Sequence, residues 1–314
     1  MCQKGAGRPA EPSDGTSLAA SGAVTEPAAA PAAAPDTELS PEARDCYRRA
    51  LETLERAGVQ FLVGGAYAFG RYTGIVRHTK DFDVFLREED LPPALAALRR
   101  AGYAVGVHSP HWLGKAYCGD DFIDLIFSAG NGIARVDDLW FEHAVPGEVL
   151  GVPARLCPAE EMIWSKAFIM ERERYDGADV AHLLRATAER LDWERLLARF
   201  GENWRVLLAH LVLFGFIYPG ERHRIPAAVM RRLTDALGAE LDAPAPGERV
   251  CRGTLLSREQ YLPDVERWGY RDARLPPSGT MTEEQIDLWT ARIAEDGAEA
   301  TAAAVVSAGS PPDR

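Results

Sequence analysis

The stretch Phe61-Leu-Val-Gly-Gly-Ala-Tyr-Ala-Phe-Gly70, followed by Arg77-His-Thr-Lys-Asp-Phe-Asp-Val-Phe85, predicts most about the fold of this chain. Asp81 and Asp83 lie two positions apart on a predicted strand, so both side chains project from one face while Phe82 and Val84 point the other way, into a core. Two adjacent carboxylates repel each other when they are partly buried. A divalent cation, most often Mg²⁺, relieves that repulsion and prefers oxygen ligands of this kind. The alternative is a pair of acids at the exposed end of a strand.

Two glycines upstream of the acid pair are the candidates for a phosphate cradle. Gly64 and Gly65 follow a short apolar strand that ends at Val63, and the apolar residues after them predict a short helix over residues 66–72. Paired glycines let backbone N–H groups approach a phosphate closely, and the start of a helix adds a favourable partial positive charge. The alternative is a tight strand-to-helix turn without a ligand. Phosphoryl or nucleotidyl transfer needs a phosphate cradle and metal-binding acids side by side.

A single acid in a later apolar strand is the candidate for a third metal ligand. Asp124 lies in Asp121-Phe-Ile-Asp-Leu-Ile-Phe127, flanked on both sides by aliphatic residues. An unpaired buried carboxylate is costly, and a neighbouring metal ion removes that cost. The alternative is an acid on an edge strand that faces water.

The order of these motifs resembles the signature of the DNA polymerase β-like nucleotidyltransferase superfamily: Gly64-Gly65, a short helix, then Arg77-x-Thr79-x-Asp81-Phe-Asp83-Val. Within that superfamily the chain is most similar to bacterial minimal nucleotidyltransferases and to the AbiEii-type toxins of toxin–antitoxin systems. The resemblance implies that an acceptor hydroxyl or phosphate attacks the α-phosphorus of an NTP such as ATP, with release of pyrophosphate. Many relatives carry Gly-Ser at the glycine pair, so here the phosphate contact falls to backbone N–H groups.

The resemblance also implies which residues carry the reaction. Asp81, Asp83 and Asp124 would bind two Mg²⁺ ions, or Mn²⁺ in their place, and Asp124 could accept the proton of the acceptor. Gly64 and Gly65 would hold the β- and γ-phosphates.

A later segment, Trp164-Ser-Lys166 to Arg174-Tyr-Asp176-Gly-Ala-Asp179, is similar to the family's helical segment, in which a lysine precedes an Arg-x-Asp-x-x-Asp-like run. The resemblance implies that Lys166 is a catalytic residue that meets the triphosphate, and that Asp176 orients neighbouring groups or the acceptor. On a continuous helix, Lys166, Met170 and Arg174 would share one face. The alternatives are a lysine on a solvated helix face and acids that cap the next helix.

Three further residues are predicted to bind the nucleotide. Arg77, Thr79 and Lys80 directly precede the acid pair. The basic side chains either steer phosphate or only flank a loop.

The predicted fold class is α/β, with a small mixed β-sheet flanked by helices and followed by a mostly helical C-terminal domain. Residues 1–40, which are rich in Ala and Pro, and residues 297–314 are predicted to be disordered tails, since they bury too little apolar surface to offset the entropy of ordering. The catalytic domain is predicted to cover residues 41–157 and the helical domain residues 158–296. No chemistry is assigned to residues 248–295.

The composition supports a substantial core, because 46% of the 314 residues are hydrophobic. The net charge of −12 gives no general attraction for nucleic acid or for an anionic membrane. Five scattered cysteines without a Cys-x-x-Cys pair predict reduced thiols and a cytoplasmic location. The longest apolar run, residues 206–217, is shorter than a membrane span and predicts a core helix.

The predicted function is therefore Mg²⁺-dependent transfer of an NMP group to an acceptor that the sequence does not identify. The acceptor could be tRNA, a protein or a small molecule such as an aminoglycoside, and the acidic surface suits a cationic aminoglycoside better than RNA. The resemblance to AbiEii-type toxins implies that an antitoxin could be a binding partner. The second hypothesis is a non-catalytic nucleotide-binding or regulatory protein on the same scaffold. The presence of all three acids favours catalysis.

Overall fold

The computed structural model describes residues 39–77 and 81–291. Most of the two predicted tails, as well as Thr79 and Lys80, lie outside the described residues, so the statements about them stay predictions. The division into a catalytic and a helical domain also stays a prediction.

Helices and strands alternate in the first half of the described chain, and helices dominate the second. The labelled helices are α1 Pro41–Arg56, α2 Gly65–Thr73, α3 Leu91–Arg100, α4 Asp138–Glu142, α5 Ala159–Ala167, α6 Gly177–Thr187, α7 Trp193–Phe200, α8 Trp204–Ile217, α9 Ala227–Leu241 and α10 Leu262–Glu266. The strands are β1 Leu62–Val63, β2 Asp81–Phe85, β3 Ala104–Ser109, β4 Leu113–Cys118, β5 Asp121–Ile126, β6 Val145–Val149, β7 Val152–Leu156, β8 Val250–Cys251 and β9 Arg271–Asp272. A further helix begins at residue 283 and reaches residue 291, where the description ends.

Local signals in the sequence explain the ends of the first two helices. Ser40 Oγ accepts a hydrogen bond of 3.0 Å from the Ala43 N–H, and Pro41 occupies the first position of α1, where its missing N–H costs nothing. The helix α2 ends at Thr73, and the next residue, Gly74, caps it with a left-handed backbone (φ +73°) that suits glycine.

Seven strands form one mixed sheet in the order β3-β4-β5-β2-β1-β7-β6. The central pairs β2–β5 and β1–β7 are parallel, whereas β1–β2, β3–β4, β4–β5 and β6–β7 are antiparallel. The structure thus confirms the predicted α/β fold with a mixed sheet flanked by helices. The pairing of β2 with β5 sets the site, because it places two acid-bearing strands side by side.

The two faces of the sheet have different roles. On one face Tyr47 of α1 stacks on Phe82 of β2, with ring centroids 4.8 Å apart, and both side chains are buried. Since side chains alternate along a strand, Asp81 and Asp83 project from the opposite face. One face therefore packs into the core under α1, and the opposite face carries the two carboxylates.

One helical stretch within the described residues, Trp193–Ile217, is long and apolar enough to cross a membrane, judged by length and composition alone. It has 25 residues, and 33% of its apolar window is buried inside the protein. It exceeds the apolar run noted in the sequence because α7 and a 3₁₀ turn precede α8 without a gap. Leu207, Leu211 and Phe214 of α8 are buried, as predicted for a core helix.

Two of the scattered cysteines meet in space. Cys46 on α1 and Cys118 at the end of β4 form a disulfide, with Cα atoms 6.4 Å apart. The prediction that all thiols are reduced is therefore wrong for this pair. The two residues are 72 positions apart, and only the folding of α1 onto the sheet brings them together, so their spacing carries no signal.

A buried ion-pair network fixes α5 against α7. The Glu161 carboxylate is fully buried and accepts hydrogen bonds from Arg195 Nη1 at 2.5 and 2.7 Å and from Arg199 Nε at 3.1 Å. Arg199 also donates to both oxygens of Asp137, at 2.6 and 2.7 Å. The network links α5 to the loop before α4.

We expect the change Glu161→Ala to lower the free energy of unfolding by about 3–5 kcal/mol, because it leaves two buried guanidinium groups without their shared partner. The matched control is Glu194→Ala, which breaks the exposed pair with Arg232 and should cost less than about 1 kcal/mol. Urea denaturation of both variants measures the difference. Equal, small losses in the two variants would show that the network does not stabilise the fold.

Candidate active site

Three carboxylates converge at the centre of the sheet. Asp83 of β2 is in register with Asp124 of the parallel neighbour β5, and Asp81 lies two residues earlier on the same face. Oxygen atoms of the three side chains lie within 4.8 Å of one another. The structure thus brings together the three acids singled out in the sequence.

The electrostatics of this cluster fit a divalent cation. Burial, reinforced by the charges of Asp81 and Asp124, raises the pKa of Asp83 to about 7. Burial also raises the pKa of Asp124, although the hydrogen bond and charge of Lys115 oppose the rise. The protein therefore holds carboxylates together at an energetic cost, and their oxygen donors are those that a hard cation such as Mg²⁺ prefers. The residues present fit such an ion.

We expect the metal-free protein to lose stability as the pH rises from about 4 to about 7. The pKa of Asp83 is raised on folding, so between these values the folded state binds more protons than the unfolded state, and the free energy of unfolding falls by up to about 1.4 kcal/mol per pH unit. Denaturation in EDTA at pH 5 and pH 8 measures the loss. Asp83→Asn removes this titration and should flatten the dependence. An equally steep dependence in the variant would assign the loss to other groups.

The glycine pair lies directly against the acids. Gly64 is the N-cap of α2, and Gly65 is its first residue, with φ at +51°. A Cβ atom at Gly65 would overlap the Asp83 carboxylate, and one at Gly64 would overlap the Phe85 ring. The first N–H groups of a helix have no partner within it and attract anions. The Gly64 N–H donates to the Asp83 carbonyl at 3.1 Å, so the donors that the start of α2 offers beside the carboxylate cluster, as a phosphate cradle requires, begin at Gly65.

Lys166, Met170 and Arg174 do not lie on one continuous helix, so the shared helix face considered from the sequence does not form. The helix α5 ends at Ala167, and Met170 pairs with Tyr175 in an antiparallel bridge. The Glu171 N–H donates to the Arg174 carbonyl at 2.8 Å, which closes a turn in place of the helix. The charged residues of this segment lie at the turn, where they reach the cleft and solvent.

Lys166 nevertheless lies in the site, held by two acids. Its Nζ donates to Asp176 Oδ2 at 2.9 Å and to Asp179 Oδ2 at 2.8 Å. Arg77 Nη1 lies 2.5 Å from Asp179 Oδ1, and Arg174 donates twice to Asp176 at 3.0 Å. Lys166 is only 18% exposed, so it does not lie on a solvated helix face.

Asp176 occupies the N-cap position of α6, but its side chain makes no capping hydrogen bond. Burial works against its ionisation, yet the hydrogen bond from Arg174 and the charge of Lys166 prevail and lower the pKa of Asp176. The Asp176 side chain therefore pairs with the basic groups of Lys166 and Arg174 and does not cap α6. The capping alternative is wrong for this residue. Asp179, which holds both Lys166 and Arg77, was not among the predicted site residues.

The acids open into a cleft of about 490 Å³, whose far wall comes from distant parts of the sequence. Residues 254–258 and Trp289 line this wall, together with Trp112. Asn131 Nδ2 donates to the Leu255 carbonyl at 2.7 Å, and the indole of Trp289 packs over Gly130, where a Cβ atom would overlap it. No spacing in the sequence indicates this wall. Lys115, which pairs with Asp124, was not among the predicted site residues, because only the pairing of β4 with β5 places it against that acid.

Comparison with known proteins identifies a family. The model of a family described as an uncharacterised nucleotidyltransferase matches residues 43–213, more than half of the chain. No curated protein is significantly similar to the chain in sequence. The matched residues include Gly64, Gly65 and the three acids. They also include the Lys166 network, which consists of Lys166, Asp176, Asp179, Arg77 and Arg174. The match ends before the C-terminal wall of the cleft.

Several solved structures show a more distant likeness. The antibiotic-resistance factor ANT(2'')-Ia is 18% identical, over 53% of this chain and 95% of its own, with a TM-score of 0.38. The lincosamide antibiotic adenylyltransferase LnuA is 14% identical, over 46% and 96%, with a TM-score of 0.34. JHP933 from Helicobacter pylori is 13% identical, over 65% and 100%, with a TM-score of 0.33.

The likeness to AbiEii-type toxins stays a prediction. The family match supports the wider group of nucleotidyltransferases, in agreement with the mixed sheet and with the acids on β2 and β5. The chain belongs to this uncharacterised nucleotidyltransferase family and is a nucleotidyltransferase.

Proposed function

We propose that the chain transfers an NMP group from an NTP to a small-molecule acceptor, in a reaction that depends on Mg²⁺ and releases pyrophosphate. The observation that carries the proposal is the convergence of three carboxylates beside the first turn of α2. Asp81 and Asp83 would hold the cation, with Asp124 beside them as the third acid of the cluster. Bound there, Mg²⁺ or Mn²⁺ would offset the charge of the triphosphate and lower the pKa of the acceptor hydroxyl.

The triphosphate would lie on the α2 side of the acids. The N–H group of Gly65 would bind the β- and γ-phosphates, and Lys166 would add positive charge. The Gly64 N–H donates to the Asp83 carbonyl at 3.1 Å, so Gly64 would contribute the close approach of its backbone to the phosphates. Asp176 lies 2.9 Å from Lys166 Nζ and would orient it.

Arg77, Thr79 and Lys80 would complete the binding of the nucleotide. Arg77 already lies within the Lys166 network through Asp179. Thr79 and Lys80 directly precede the acid pair in the sequence.

The acceptor would lie on the other side of the acids, next to Asp124. The Asp124 carboxylate would accept the proton of the attacking hydroxyl, and the wall formed by residues 254–258 and Trp289 would bound the acceptor. A cleft of about 490 Å³ is of the size that holds small ligands. The net charge of −12 favours a cationic small molecule, such as an aminoglycoside, over tRNA.

The toxin–antitoxin hypothesis and a cytoplasmic location also belong to this proposal. A neighbouring gene for a small antitoxin-like protein would support the first. For the second, the Cys46–Cys118 disulfide would be an exception, because disulfides are rare in the cytosol.

The test is transfer from each α-labelled NTP, with Mg²⁺, to pools of small molecules, proteins and total RNA. We expect label in the small-molecule pool with release of pyrophosphate, and no transfer by the double variant Asp81→Ala, Asp83→Ala. Transfer that persists in that variant would contradict the proposed site.

The non-catalytic alternative has its own signature in calorimetry. Mg²⁺-linked binding of an NTP with no pyrophosphate release under any acceptor condition would favour a binding or regulatory protein. Label found in RNA or protein would support the proposed catalytic site but would show that the acceptor is not a small molecule.

A further inference from the structure

Lys115 lies against the third acid of the site. It is on β4, directly opposite Asp124 on the antiparallel neighbour β5, and its Nζ lies 2.7 Å from Asp124 Oδ1. Opposed residues of two strands have Cβ atoms about 5 Å apart. The register of β4 with β5 therefore places the Lys115 side chain against Asp124.

The surroundings hold the ammonium group in place. The Lys115 side chain is 15% exposed and that of Asp124 is 13% exposed. The Lys115 Nζ also lies 4.0 Å from the centroid of the Phe122 ring, a cation–π contact from the same face of β5. Lys115 is thus a fixed, poorly solvated positive charge next to the carboxylate cluster.

We propose that the Lys115 ammonium occupies the acceptor-side cation position, so that the loaded site holds one divalent cation, between Asp81 and Asp83, where the superfamily resemblance implies two. The inference rests on the proposed function. A second divalent cation on Asp124 would lie beside a buried charge of the same sign, and like charges repel strongly where solvent is scarce. The ammonium already supplies the opposite charge that a buried carboxylate requires. Lys115 acts through Asp124 and is a positioning residue.

The experiment counts Mn²⁺ ions bound per chain in the presence of a non-hydrolysable NTP analogue, by electron paramagnetic resonance of the free ion after equilibrium dialysis. We expect one bound Mn²⁺ in the wild type and two in Lys115→Met, which keeps an unbranched apolar side chain but removes the charge. The matched control Lys115→Arg keeps the charge and should bind one.

Two bound Mn²⁺ ions in the wild type, or an unchanged count in a folded Lys115→Met protein, would overturn the inference. If Lys115→Met does not fold, the double variant Lys115→Met, Asp124→Asn replaces it, because removing both partners leaves no buried charge unpaired. That variant should still bind one Mn²⁺ with an affinity within about threefold of the wild type, because the net charge of the site is unchanged, whereas loss of most of the affinity would overturn the inference. Absence of any Mn²⁺-linked nucleotide binding in the wild type would instead contradict the proposed function itself.

Discussion

Replacement of Asp83 by asparagine is expected to reduce nucleotidyl transfer by about 1,000-fold or more, because it removes a preorganised negative charge that the loaded site requires. The same change should stabilise the metal-free protein at neutral pH. Burial and two neighbouring carboxylates raise the pKa of Asp83 to about 7, so the ionised acid is a cost to the folded state that a neutral amide avoids. Transfer rates at saturating NTP and denaturation in EDTA measure the two effects.

A loss of transfer together with a gain in stability distinguishes an acid that serves the reaction from one that stabilises the fold. The matched control is Asp120→Asn in the exposed turn between β4 and β5, which should change neither quantity. A stable Asp83→Asn protein with near-normal transfer would remove Asp83 from the site. A destabilised variant would contradict the electrostatic cost inferred for the cluster.

Replacement of Gly65 by alanine is expected to abolish transfer and to lower the free energy of unfolding by about 1–3 kcal/mol. Gly65 has φ at +51°, a conformation that alanine adopts only with strain. The added Cβ atom would overlap the Asp83 carboxylate, so either the acid or the first turn of α2 must move. Both are parts of the proposed triphosphate site. Transfer assays and urea denaturation measure the losses.

The control for this variant is Gly106→Ala on β3, where φ is ordinary and no atom lies close to the added Cβ. It should retain transfer and stability. If Gly65→Ala retained full transfer, the close approach of the backbone to the acids would have no functional role, and the phosphate cradle would have to be sought elsewhere.

The acid cluster could be predicted from the sequence because it depends on local rules. Alternation along β2 places Asp81 and Asp83 on one face, and Asp124 stands out as the single acid in the middle of an apolar strand. Its meeting with Asp83 needed only that β2 and β5 be neighbours, which the superfamily resemblance implied.

The features that were missed depend on long-range packing. The Cys46–Cys118 disulfide joins a helix to a strand end, and the far wall of the cleft joins the loop at Gly130 to Trp289. Lys115 becomes recognisable only when β4 and β5 are aligned in register. The break after Ala167 was missed because the segment has helical spacing, whereas the bridge between Met170 and Tyr175 forms instead.

The central claim is that Asp81 and Asp83, with Asp124 beside them, bind a divalent cation together with a triphosphate. Calorimetric titration of a non-hydrolysable NTP analogue tests it most directly, with wild type in Mg²⁺, wild type in EDTA, and the Asp81→Ala, Asp83→Ala double variant in Mg²⁺. We expect binding in the first condition and a loss of at least about 100-fold in affinity in the other two. Equal affinity in EDTA, or in the double variant, would contradict the account.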